Sequence, residues 1–386
     1  MKRSKADEPR GPGLIDFLAA VPDPRVNRTR EHQLLDILII GVCCLICGGG
    51  GFTDMEIFGR AHRAWFRRFL ELPGGIPSHD TFNRVFAALD PRAFLDCFVR
   101  WTQTLRQRLG AEVVALDGKA LRRAGRAGAG LPYIVSAWAS ANGLALGQVK
   151  VDDKSNEITA VPELLRALDV TGCIVTLDAM GCQKKIARQI VEQGADYVLS
   201  LKGNQGVMHD EVAELFAALP LEEIAAGRPV PDAACAFHQT VDGDHGRVET
   251  RRCWCTADVA WFADREQWRG LASFGLVEAK RETNGEVSVE RRYFISSLPG
   301  DDAKQFLHAV REHWGVENRL HWTLDVVFGE DQARARTKNA AENLAALRRF
   351  ALNLLKNESS EKKLSLRSKR LMAAWNGDYL KKVLGV

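Results

Sequence analysis

VVALDGK (residues 113–119) and CIVTLDAM (173–180) decide how this chain is read: each is a short apolar run that ends in an aspartate, Asp117 and Asp178. Such runs, rich in Val and Ile and stopped by a turn-forming residue, predict buried strands. Both close on the same VxLD pattern, which places the two carboxylates at equivalent strand ends. A third acidic residue, Glu317, lies in HAVREHWGVENRLHW (308–322), a stretch with helical spacing. Strand end, strand end and helix is one way for a chain to bring three distant carboxylates to one point.

Outward from these stretches the periodicity gives an order of elements. YIVSAWAS (133–140) and LALGQVKV (144–151) read as strands, with Asn142-Gly143 between them as a two-residue hairpin turn. ITAVPELLRAL (158–168) and KKIARQIVEQG (184–194) read as helices, the second closed by Gly194, and DYVLSLKG (196–203) as a strand. Strand, strand, strand, helix, strand, helix, strand is the layout of a ribonuclease-H-like α/β fold, a mixed sheet with helices on both faces. That catalytic domain is expected over 111–356. Within it, about 204–298 breaks the rhythm: after VMHDEVAELFAAL come CAFHQTV, RVETRRCWC, FGLVEAKRE and VSVERRYFISS, read as a β-rich insertion before the last catalytic helix at 301–328. Residues 338–356 return to helix.

Upstream, residues 13–110 are helical throughout, as in LLDILIIGVCCLI (34–46) and FLDCFVRWTQTLRQRL (94–109). PSHDTFNRVFAALD (77–90) has Ser78 as an N-cap and resembles the second helix of a helix-turn-helix, so DNA contact is weighed there against a plain helical bundle. Residues 1–12 read as a flexible tail, and 357–386 as a short basic tail carrying EKKLSLRSKR.

Bulk properties narrow the field. The 386 residues carry 53 basic and 49 acidic side chains, a net +4 too mild to identify a nucleic-acid partner on its own. The nine cysteines form no pair of CxxC knuckles, which argues against a structural zinc. Leu34–Cys47 is apolar but includes Asp36 and falls short of the roughly 20 residues needed to cross a bilayer. MKRSKADEPRGPG has no apolar core, so no secretory signal is expected. A cytoplasmic protein without a membrane partner is the expectation.

Hard oxygen donors at Asp117, Asp178 and Glu317 suit two Mg²⁺ or Mn²⁺ ions about 4 Å apart, the arrangement that cuts and joins phosphodiesters. Asp117 would bridge the ions, and Asp178 and Glu317 would each complete one. The plainer alternative makes the aspartates turn starters and Glu317 a solvated helix residue. Against it stand the shared VxLD pattern and the recurrence of His313, Glu317, His321 and Asp325 at every fourth position. Lys119 shares a strand face with Asp117 and is either a phosphate contact or a surface lysine. Lys202, Asn204 and Gln205 end the last strand before the insertion and are candidates for phosphate or base contact. Arg247, Glu249 and Arg251 alternate onto one face, as an ion-pair ladder or a DNA-facing strip; Trp254 on that strand is expected in the core.

ALDGKALR (115–122), DDKSNEITAVPELL (152–165), TLDAMGCQ (176–183), LKGNQ (201–205), HGRVETR (245–251) and HWGVENRLHWTLDVVFGED (313–331) together resemble the DDE transposases of bacterial insertion sequences. The resemblance runs over about 13–356, and the H-repeat-associated (Rhs element) subgroup fits best. It implies a DNA transposase that cleaves and joins at terminal inverted repeats with Mg²⁺, using double-stranded DNA ends and target DNA, and a homodimer when DNA-bound. The broader family carries a tyrosine–arginine–glutamate–lysine signature around the third carboxylate. Here Glu317 fits, but Val310, His313 and Leu324 stand where the other three would be. His313, Arg319 or His321 is left to supply the missing phosphate contacts. The alternative from another class is a catalytically silent DNA-binding remnant or regulator of such an element; a third is a two-metal nuclease without sequence preference.

Overall fold

The computed structural model describes residues 12–107, 110–125, 130–151, 157–230, 234–244, 247–283, 285–361 and 363–386. All but the last residue of the expected amino-terminal tail lies outside them, as do 152–156 of the second motif stretch and His245-Gly246. The first part is helical: α1 (Leu14–Ala19), α2 (Leu34–Ile46), α3 (Phe52–Ala61), α4 (Arg63–Phe66), α5 (His79–Ala88) and α6 (Pro91–Leu105). Local chemistry starts these helices. Ser78 Oγ accepts the Thr81 N–H at the head of α5, and Asp90 caps α6 with Pro91 in its first turn. The apolar α2 is buried on all sides, and its one acid, Asp36, accepts the Leu72 backbone N–H at 3.0 Å.

The strands then run β1 (Val113–Ala120), β2 (Tyr133–Ala139), β3 (Leu144–Val151), α7 (Glu157–Ala167), β4 (Ile174–Leu177), α8 (Lys184–Glu192) and β5 (Asp196–Leu201). Gly143 turns β2 into β3 with φ of +65°, a conformation that favours glycine. After α9 (Gly206–Ala218) and α10 (Leu221–Ala225) come β6 (Cys235–Asp244), β7 (Arg247–Thr256), β8 (Ser273–Thr283) and β9 (Glu286–Ser296). These four do not fold apart from the rest. Their antiparallel meander joins β5 through β9, giving one nine-stranded mixed sheet of order β3-β2-β1-β4-β5-β9-β8-β7-β6. β1 is parallel to β4, and β4 to β5; the remaining neighbours are antiparallel.

Strand alternation sends Val114 and Leu116 to one face, where α7, α8 and α9 cover them, and Val113 and Ala115 to the other. On that second face lie α11 (Ala303–His313) and, beyond it, α12 (Ala340–Asn357), which shares one core with the amino-terminal helices. Asn353 of α12 clamps the backbone of Ala145 with both ends of its amide, at 3.0 and 2.8 Å, so α12 guards the β3 edge of the sheet. Asn343 donates to the carbonyls of Phe86 and Leu89 and ties the same helix to α5.

The stretch expected as one helix over 301–328 is two structures. α11 ends at His313, and Val316–His321 and Thr323–Val327 wind as π-helix. The carboxy-terminal basic stretch also folds in: α13 (Leu366–Trp375) and α14 (Gly377–Leu384) bury Ala373, Leu380 and Val383 in the helical core. Lys369 and Arg370 of its basic cluster donate to backbone carbonyls at Leu355 and Leu45. Among the described residues, no helix is long and apolar enough to cross a membrane.

Candidate active site

β1 and β4 lie side by side in parallel with Leu116 opposite Leu177, so the next residue on each, Asp117 and Asp178, emerges at one place on the sheet's rim. The carboxyl ends of parallel strands are where open α/β sheets bind ligands. Asp178 caps a short 3₁₀ turn, its Oδ1 accepting the N–H groups of Met180 at 3.0 Å and Gly181 at 3.4 Å. Glu317 comes from the π-wound segment on the α11 side. A π turn holds more residues than the 3.6 or so of an α turn, so steps of four drift less from one line. The four-residue stripe accordingly runs along the site: His313 beside Thr176, Glu317 at the pocket, His321 against Asp117, and Asp325 on Lys119. Asp117, Asp178 and Glu317 line one pocket of about 240 Å³, together with Lys202, Arg292, His313 and Trp314.

The charge around Asp117 is unbalanced. Burial pushes its acid up to about 7, and Asp178, Glu157 and Glu317 add to the push against the Gly118 N–H that opposes it. His321 Nδ1 stands 3.4 Å from the Asp117 carboxylate. It is no counter-ion: burial, with Arg349 and Lys119 nearby, holds its pKa down at about 3, so the imidazole is neutral. His313 is likewise neutral, held at about 4 first by burial, with Nδ1 3.0 Å from the Thr176 hydroxyl. Among the described residues, no basic side chain is ion-paired to Asp178 or Glu317.

The residues present offer hard oxygen donors around an acidic pocket, which fits a divalent cation in kind. No three or more His, Cys, Asp or Glu side chains among the described residues gather tightly enough to cage an ion by themselves. Mg²⁺ does not need such a cage: it takes one or two carboxylates, keeps waters, and draws remaining ligands from phosphate.

A second concavity, of about 410 Å³, adjoins the first and shares Arg292, Trp314 and Glu317 with it. Arg247, Arg251, Arg281 and Arg311 line it. Glu249 is its organiser. Burial alone would raise that acid, but Arg281, Arg251 and Arg247 at 3.1, 2.7 and 2.9 Å hold it below the usual carboxylate range. Arg251 also bonds Asp242 at 2.7 Å, but each guanidinium has five N–H donors, so donors are left over on all three. Arg292 packs its guanidinium on the Trp314 ring, 4.4 Å from the centroid, at the junction of the two concavities.

The other residues singled out from the sequence divide. Lys202 faces the acidic pocket, and Arg247 and Arg251 face the groove. Lys119 instead turns into a buried ion cluster with Asp325, Glu330 and Asp331, which leaves it no free phosphate contact. Asn204 and Gln205 donate to the carbonyls of Ala179 and Cys182, bracing the turn behind Asp178. His321 is sealed behind Asp117 rather than presented to a ligand, and Arg319 is exposed and paired with Glu312 at 3.2 Å. Trp254 is in the core, 1% exposed. Sequence reading did not single out Glu157, Arg281, Arg292 or Arg311. Arg281 had a signal, since it follows Val277 and Ala279 on one strand face opposite Glu249.

A nine-stranded mixed sheet with an acidic pocket at the ends of two parallel strands, opening onto an arginine groove, is a mixed α/β frame. Comparison with known proteins places it. The family model described as "Transposase DDE domain" matches residues 108–354, and one described as "DDE_Tnp_1-associated" matches residues 15–102. "H repeat-associated putative transposase YhhI" of Escherichia coli K12 is 38% identical over 96% of this chain and 97% of its own length. An uncharacterized protein encoded in the dhlA 3′ region of Xanthobacter autotrophicus is 44% identical over 75% of this chain and 96% of its own length. The chain belongs to the DDE transposase family, with H-repeat-associated proteins among its full-length relatives.

Proposed function

We propose that this chain is an active DNA transposase that cleaves and joins DNA at the inverted-repeat ends of an insertion sequence, with Asp117, Asp178 and Glu317 as its catalytic carboxylates. The observation that carries the reading is the convergence of three acids, from β1, the end of β4 and the π-wound segment, on one pocket that opens onto arginines. The order β3-β2-β1-β4-β5, antiparallel then parallel, supports a ribonuclease-H-like core for the same reason: it sets the two aspartates on adjacent strands.

In this reading Asp117, Asp178 and Glu317 hold two divalent cations, Mg²⁺ or Mn²⁺. Such ions supply charge to the leaving oxygen and lower the pKa of an attacking water or 3′-hydroxyl. The chain's own groups do the rest. His321 blocks the back of Asp117 and keeps water from its buried side. Asn204 and Gln205 fix the turn that aims Asp178. Arg247, Arg251 and Arg281 bind the phosphate backbone, and Arg292, anchored on Trp314, carries it to the pocket. A homodimer bridging two DNA ends is part of the proposal, as is target DNA in the same groove.

The test uses duplexes that carry the inverted repeats flanking the gene. Nicking at the repeat ends with Mg²⁺, none with EDTA, and joining of the cut 3′ ends to a second duplex is the expected result. Binding that persists in EDTA with no cleavage under any metal makes the chain a silent DNA-binding remnant. Cutting without end preference or joining makes it a nuclease of another kind.

A further inference from the structure

Gly118, next to Asp117, turns a bare Cα toward α7, the sheet face opposite Asp117 and Lys119. A β-carbon built on it would stand 2.2 Å from Tyr133 Cε1, 2.5 Å from Glu157 Oε1 and 2.8 Å from the Tyr133 hydroxyl oxygen. Only glycine lets a carboxylate come so close to the β1 backbone at this point. Glu157 is the first residue of α7, and the Tyr133 hydroxyl donates to its carboxylate. Tyr133 is placed by register: it pairs with Ala120, while Val135, two residues on, pairs with Gly118. The charge of Glu157 acts on Asp117, and that of Asp178 acts on Glu157, so the group lies within electrostatic reach of the pocket's acids from the far side of β1, outside the pocket's own lining. No cation among the described residues contributes to holding it ionised.

We propose that Glu157 is a fourth carboxylate of the site, reaching past Gly118 from the α7 side to add a hard oxygen donor to the divalent cation that Asp117 and Asp178 hold, with Tyr133 as the positioning residue that aims it. This rests on the reading of the pocket as a cation site. The competing role is structural: Glu157 as no more than a hydrogen-bonded start to α7. The two roles separate cleanly, because glutamine keeps an acceptor for the Tyr133 hydroxyl and the same volume but gives up the charge that a metal needs.

The experiment is calorimetric titration of Mn²⁺ into the full chain, wild type, Glu157→Gln, Tyr133→Phe and Asp117→Asn, with binding to terminal-repeat DNA in EDTA as the control for fold. Glu157→Gln is expected to weaken Mn²⁺ binding by about tenfold or more, with Tyr133→Phe smaller in the same direction, as for groups that ligate or orient a ligand. DNA binding in EDTA stays at the wild-type level. Wild-type Mn²⁺ affinity in Glu157→Gln, with binding lost in Asp117→Asn, overturns the proposal and leaves the pocket reading standing. Wild-type affinity in Asp117→Asn as well means the pocket is not the cation site, and both fall. If Glu157→Gln does not fold, Tyr133→Phe decides: it removes a single oxygen, and unchanged Mn²⁺ affinity there overturns the proposal.

Discussion

Two sets of carboxylates lie along one face of β1, and the protein treats them in opposite ways. Around Lys119, Glu330 is fully buried between that lysine at 3.2 Å and Arg349 at 3.1 Å, Asp325 also bonds Lys119, and Asp331 lies 3.4 Å from Arg122. Two residues back along the strand, Asp117 shares a pocket with Asp178 and Glu317 with no such pairing among the described residues, and Asp117 is pushed up by burial and by its acidic neighbours. Burying charge is costly unless it is compensated. The Lys119 set is compensated within the chain, which marks it as structural. The pocket set is left short of positive charge, which a bound cation would supply.

The contrast breaks most visibly under substitution. Asp117→Asn, Asp178→Asn and Glu317→Gln are each expected to cut terminal-repeat cleavage by about a thousandfold or more, the effect of losing several kcal/mol of metal-borne stabilisation. Their thermal stability without metal stays level or rises, because each removes like-charge repulsion. Near wild-type cleavage in any one of them removes that residue from the ligand set. Glu330→Ala should do the reverse, costing about 3–5 kcal/mol in urea unfolding, because it leaves the buried Arg349 without its carboxylate and takes one of three from Lys119. A cost below about 1 kcal/mol would show that the Lys119 cluster is not a structural tie.

The pH dependence sharpens the same difference. The Asp117 acid lies at about 7 in the fold against an ordinary 3.8, so folding takes up a proton between those values. Its contribution to stability is therefore complete below about pH 4 and is lost as pH rises to 7. In metal-free protein, melting curves of wild type against Asp117→Asn should diverge over that window, with the wild type losing ground as pH rises. Added Mn²⁺ competes with that proton, so its stabilising effect should be greater at pH 8 than at pH 6; an effect independent of pH would argue that Asp117 is not a ligand. The smallest effects belong to the groove. Arg247→Ala and Arg251→Ala should weaken DNA binding alike for all sequences, each lowering the salt slope by about one. An unchanged slope would take those arginines off the phosphate track.

What could be read beforehand follows from range. Asp117 and Asp178 were legible because a strand that stops at an acid is a local pattern, and Ser78 because capping is local too. Glu317 showed through its stripe, though the π winding that keeps the stripe aligned did not. Glu157 was hidden at the end of a polar run where α7 begins, since its closeness to Gly118 arises from β2 register and the missing side chain on that glycine. Arg292 and Arg311 lie on different elements and meet only because β9 pairs with β5 and carries the β-rich strands onto the sheet. The sequence leaves Lys119 open between a phosphate contact and a surface lysine, and it is neither, because Asp325, Glu330 and Asp331, which claim it, are some two hundred residues away.

The most direct measurement replaces Mg²⁺ with Fe²⁺ and ascorbate and maps backbone breaks in the folded chain by mass spectrometry, since hydroxyl radicals made at the ion cut the peptide beside it. The account predicts breaks clustered near residues 117, 178 and 317, suppressed by excess Mg²⁺. Breaks that avoid the 317 segment, or that gather at Asp325, Glu330 and Asp331 instead, would contradict it.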